Sequence, residues 1–204
     1  MKESIKLLAI QGSYRLFMKR RADKAFLGFS QKVFTRDHHQ CQFCGFTAVE
    51  HMEVINRDSN YTHNKMSNLI TACPFCAQCF FLDAVGQGDF GGGTLIFLPE
   101  LSQEDLNALC HVLFTTIACG HEMSSDAKDH YRSLKARSKI VESKLGEGLS
   151  KPAMYGQMLL DAIQDVSGLH TQVCASVRLL PNLKQFAPMA LVWAESAISQ
   201  IASV

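Results

Sequence analysis

Two Cys-x-x-Cys steps constrain this chain more than any other feature. Cys41-Gln42-Phe43-Cys44 and Cys73-Pro74-Phe75-Cys76 stand 28 residues apart. Each step can present two thiolates to one ion about 2.3 Å away, and two steps complete a tetrahedron. Gly45 follows the first pair, where such a turn needs an open backbone conformation, and Pro74 stiffens the second. The spacing therefore predicts one closed structural zinc site, with Cys41, Cys44, Cys73 and Cys76 as ligands. The competing readings are free thiols at accidental spacing and a redox dithiol, which needs only one pair. Cys79 forms a third step with Cys76, but it is expected on the helix that follows. Cys110, Cys119 and Cys174 fall in apolar helical patterns and are expected to pack as small hydrophobes.

Composition narrows the class. The chain has 204 residues, 47% hydrophobic and 19% charged, which excludes a disordered chain. It has room for one domain or two small ones. No run of 18 apolar residues offers a membrane span, and Leu7–Ile10 is too short for a signal-peptide core. The expectation is a cytoplasmic protein, and in a reducing compartment close cysteines favour metal over disulfide. The net charge of +1 hides an asymmetry: residues 1–40 carry nine basic and three acidic side chains. That segment reads as a solvated basic face, with contact to phosphate or an acidic partner as the alternative.

Periodicity organises the rest. Ser4–Ile10 fits a strand or a helix. Ser30–Asp37 reads as a short helix, Met52–Ile55 as a strand, and Met66–Phe81 as helical turns. The glycines from Gly86 to Gly93 lack the Lys-Ser/Thr of a phosphate loop and read as a linker or hairpin turn. Thr94–Leu98 is a candidate strand. Helices are expected from Ser102 to Gly120, with Leu106, Leu109, Cys110, Leu113 and Ile117 inward, and over Ser125–Leu145. A third should start at Pro152, with Tyr155, Met158, Leu159, Ala162 and Val166 inward. Thr171–Leu180 and Pro188–Ile201 complete the set. Trp193 is expected in the core. Phe75, Phe80, Phe81, Phe90 and Phe97 form an apolar surplus that reads as core or as an exposed partner surface. The expected fold is α+β: a zinc module within residues 1–93 and a mainly helical region, 94–204, packed with it.

Phe34-Thr35-Arg36-Asp37 before the first pair, and Ser67-Asn68-Leu69-Ile70-Thr71-Ala72 before the second, resemble the HNH endonuclease module over residues 30–82. The resemblance implies a ββα-metal core with a structural zinc beside it. Active members carry an Asp-His or His-His pair where this chain has Glu53 and Val54, and often a His where it has Ala77. Valine can neither accept a proton nor position a water. Asn68 alone matches, in a role that orients the loop, and His38, His39, His51 and His63 fall out of register. The resemblance therefore implies a scaffold without catalytic residues. Over nearly its whole length the chain also resembles the small zinc-bearing subunits of Dot/Icm type IVB secretion coupling complexes. This second resemblance implies a cytoplasmic adaptor that binds the C-terminal extension of the coupling ATPase DotL, supports effector export, and reaches the inner membrane only through partners. The alternatives are a metal-dependent endonuclease using His51 or His63, and a nucleic-acid-binding zinc module.

Overall fold

The computed structural model describes residues 3–161 and 173–202. The N-terminal half holds α1 (Ser13–Arg21), α2 (Lys24–Arg36), β1 (Glu53–Asn56), β2 (Leu69–Ala72) and the one-turn α3 (Pro74–Ala77). The remainder holds β3 (Gly93–Phe97), α4 (Gln103–Ala118), α5 (Ser124–Ala136), α6 (Ser138–Leu145), α7 (Pro152–Asp161), β4 (Val177–Pro181) and α8 (Leu183–Ala202). The mixed α+β class is as expected. β1 pairs antiparallel with β2, Val54 opposite Thr71 and Ile55 opposite Ile70. β3 pairs antiparallel with β4, Leu95 opposite Leu179.

Local chemistry starts the long helices. Asp23 accepts from the Phe26 N–H at the head of α2, and Ser102 accepts from the Asp105 N–H at the head of α4. Glu104 and Asp105 then lie in the first turn of α4, at the positive end of its dipole.

Several expectations fail for tertiary reasons. Ser4–Ile10 is neither helix nor strand; it runs past the second knuckle, with Leu8 N–H on Cys79 O and Leu82 N–H on Leu8 O. The turns expected over Met66–Phe81 are interrupted by β2, whose four residues are all buried. The helix expected over 125–145 breaks at Arg137, whose carbonyl accepts from Phe97 N–H of β3. Val177–Pro181 is strand rather than helix because it pairs with β3. Helix α8 begins before Pro188 and runs through it, with Phe186, Ala190 and Trp193 buried on both sides. The positions 162 and 166, expected to face inward, lie outside the described residues.

The core is continuous across the glycine segment, from Phe17 and Phe81 through Phe75 to Leu106, Phe114, Leu179 and Trp193. Phe75, Phe80, Phe81 and Phe90 are buried in it, so these aromatics are core rather than a free surface. Phe17, Tyr61 and Phe90 pack around Phe81, with ring centroids 4.6–5.8 Å away. Gly91 and Gly92, both at positive φ, lie against the core, where Gln78 Oε1 accepts from Gly92 N–H at 2.9 Å. Leu109 and Cys119, expected inward, are exposed, and Cys174 is half-buried. Only Cys110 of the three helical cysteines is fully buried.

Candidate metal centre

The first knuckle leaves α2 through His38 and His39, both at positive φ near 54°. Cys41 N–H donates to Phe46 O at 2.7 Å and Gly45 N–H returns to Cys41 O at 3.0 Å. Gly45 sits at φ 81°, a conformation that costs glycine little. The second knuckle opens with Pro74 in the first turn of α3, where its missing N–H loses no helical bond. Its two N–H groups at Cys76 and Ala77 both reach Cys73 O. Gln42 N–H on Thr71 O, 2.9 Å, ties one knuckle to the strand feeding the other.

These turns bring Cys41, Cys44, Cys73 and Cys76 together, all buried, with sulfurs within 4.8 Å of one another. Cys44 and Cys73 Sγ are 3.6 Å apart. An ion held by four tetrahedral thiolates would set neighbouring sulfurs about 3.8 Å apart, so the donor set fits a metal ion. The electrostatics agree. Burial pushes the Cys73 and Cys76 thiols well above their ordinary range. Burial opposes ionisation of Cys41 too, but hydrogen bonds from Cys44, Cys73 and Cys76 hold it well below that range. Burial thus opposes ionisation of Cys41, Cys73 and Cys76 alike, and a divalent cation is what would let such thiols ionise together. Cys79 stands outside this set. Its Sγ donates to Phe75 O at 3.3 Å, and burial pushes its thiol up.

Sequence reasoning missed two side chains at this centre, both on α4. Asn107 Nδ2 lies 3.2 Å from Cys76 Sγ, and His111 Nε2 lies 3.2 Å from Cys73 Sγ. The His111 ring is stacked between Phe46, at 3.6 Å, and Phe75, at 4.2 Å. Burial pushes His111 down to about 3. The signal was present in the sequence: Gln103, Asn107 and His111 recur every fourth residue along the stripe that α4 buries.

The HNH-like positions meet elsewhere. Glu53 and Ala77 line a small cleft of about 70 Å³ together with Arg21, His51 and Asp89. Arg21 pairs with Glu53 at 2.9 Å, and burial pushes the Glu53 carboxyl up to about 7 against the pull of Arg21 and Arg20. Val54 is buried. His63 Nδ1 lies 2.6 Å from Asp58, in a loop that Asn68 braces by donating to Asp58 and to His63 O. His51 is exposed. Part of the basic segment is also spent on structure. Buried Arg20 bonds Asn56, Asn64 and Val54 O, and Arg36 holds Met66 O, Leu69 O and Asp37.

No protein-family model matches the chain. It is 48% identical over 198 residues to the type 4 apparatus protein DotN of Legionella pneumophila, an alignment covering 97% of this chain and 92% of the relative. The chain belongs to the DotN family. In this DotN-family chain no helix among the described residues is long and apolar enough to cross a membrane.

Phe46, just after the first cysteine pair, opens onto an apolar groove of about 590 Å³. Phe46 and Val49 of the first knuckle, Thr115 of α4, Met123, and Trp193 and Ile198 of α8 line it. Val49, Met123 and Ile198 are each more than half exposed, and Trp193 closes the floor with its Nε1–H on Glu50 O.

Proposed function

We propose that this protein is a non-catalytic adaptor of a type IVB secretion coupling complex, stabilised by one structural zinc ion on Cys41, Cys44, Cys73 and Cys76. The observation that carries this reading is the full-length likeness to the DotN relative. When bound, zinc would supply cross-linking only: four protein ligands leave no open position for substrate or water. The module is read as HNH-like, and the β1–β2 hairpin leading into α3 supports that. The reading without catalysis is supported by the cleft at Glu53 and Ala77, where the Arg21 guanidinium already pairs with the carboxylate.

The partner is the C-terminal extension of the coupling ATPase DotL, and through it the protein meets the other coupling-complex subunits. The protein stays on the cytoplasmic side and reaches the membrane through these contacts. The groove between the first knuckle and α8 suits such a segment, because an apolar trough with a polar rim accepts the apolar face of a helix or extended peptide. The zinc would hold one wall of that trough rigid.

Purified protein should contain about one zinc per chain and retain the DotL extension on an affinity column. Val49→Asp with Ile198→Asp, both exposed in the free protein, should lower that retention at least tenfold without changing far-UV circular dichroism. Metal-free folded protein would reject the zinc centre, and undiminished retention would reject the groove. Cleavage of plasmid DNA with Mg²⁺, abolished by His51→Ala, would favour the nuclease reading instead.

A further inference from the structure

Resting on the zinc reading above, we infer that the metal centre is completed by the helical half of the chain: Asn107 and His111 of α4 are positioning residues that donate N–H···S hydrogen bonds to Cys76 and Cys73. Four thiolates around one divalent cation leave two negative charges in a buried site, and such charge needs donors. Both side chains are themselves buried, and both approach sulfur at 3.2 Å.

The orientation of each donor is fixed from behind. Gln103 receives Leu179 N–H of β4 at 2.8 Å and gives one amide hydrogen to Leu179 O and another bond to Asn107 Oδ1, both at 2.9 Å. With its oxygen committed to Gln103, Asn107 must turn its NH₂ toward Cys76. The relay therefore runs from the β4 backbone through Gln103 and Asn107 to the cluster. His111 is set by stacking, because Phe46 belongs to the first knuckle and Phe75 to the second. Its Nδ1 is buried with no partner. A proton on Nε2 puts an N–H on sulfur at 3.2 Å, whereas a proton on Nδ1 would be a buried orphan N–H. One ring thus bonds a ligand and clamps both ligand-bearing turns. Outer partners of this kind commonly change metal affinity by about 10–100-fold.

The test compares full-length wild type with His111→Phe, which preserves the stack but removes the donor, and Asn107→Leu, which leaves the stack untouched. Each is loaded with Co²⁺ for spectroscopy and with Zn²⁺ for extraction by a chromogenic chelator. Loss of an N–H···S bond should move the sulfur-to-cobalt charge-transfer band to longer wavelength, a change that packing alone would not cause. Zinc extraction should speed up about tenfold in each variant. An unshifted band with unchanged extraction in both variants would overturn the inference. Wild-type protein that shows no four-thiolate cobalt spectrum would instead overturn the zinc reading on which it rests. If His111→Phe fails to fold, Asn107→Leu decides alone.

Discussion

At the scale of single residues, the loop after β1 shows how the chain keeps order where it has little core. Asp58 accepts from Asn60 N–H and Asn68 Nδ2 and faces His63 Nδ1 at 2.6 Å. Slight burial opposes its charge, but the contacts with His63, Asn68 and the Asn60 backbone hold the carboxyl down from 3.8 to about 2. A folded pKa below the unfolded one means that folding releases a proton. The stabilisation is therefore present above about pH 4 and is lost as the pH falls through the window from 3.8 to 2. The difference in urea midpoint between wild type and Asp58→Asn should be constant above pH 5, shrink steeply toward pH 2 and vanish near pH 1. A difference that does not shrink between pH 5 and pH 2 would count against the carboxylate as its source. None of this is legible from the polar composition of Asp58–Lys65, because the partners meet through turns that bring Asn68 back beside Asp58.

At the scale of elements, close approach decides more than propensity. Gly156 of α7 faces the backbone of Leu82 and Asp83, where a built Cβ would stand 2.7 Å from Leu82 C and Asp83 Cα. Rigid backbone cannot yield cheaply, so Gly156→Ala should destabilise by about 1–3 kcal/mol in urea denaturation. Gly28 lies inside α2 with open space around it, and Gly28→Ala should stabilise by about 0.5–1 kcal/mol. The two substitutions are chemically identical, so equal effects would mean that α7 does not pack as described. The same logic explains the sequence errors. Val177–Pro181 has the apolar content of a buried helix or a buried strand, and its partner β3 lies about eighty residues earlier. The break at Arg137 follows from its ties to β3 and to Glu100, at 2.9 Å on both guanidinium nitrogens. The local capping signal at Ser102 did mark the start of α4, whereas α2 starts six residues before the expected Ser30.

At the scale of the whole molecule, the core crosses the glycine segment that divides the sequence into 1–93 and 94–204. Trp193 of α8 packs against Phe46 at 4.9 Å and Phe75 at 5.7 Å, one residue from each knuckle. Its fluorescence therefore reports the cysteine cluster from the helical side. Cys73→Ser, or chelation of the proposed zinc, should lower the melting midpoints of Trp193 fluorescence and far-UV circular dichroism together. Two separated transitions would show instead that the halves fold independently.

The cysteine spacing pointed to Cys41, Cys44, Cys73 and Cys76, because ligand chemistry and turn geometry act over a few residues, while Cys79 shares that spacing and is left out of the cluster by its place in the fold. Helix periodicity found α4 for the same reason. Sequence likewise exposed Val54 and Ala77 at two positions where the resemblance to the HNH module leads one to expect histidine. Tertiary structure alone decided that Asn107 and His111 meet the cluster, that β4 is a strand, and that the phenylalanines are core while a groove opens beside α8. Each of these depends on contacts between distant segments, where burial and pairing outweigh the local preferences that a sequence displays.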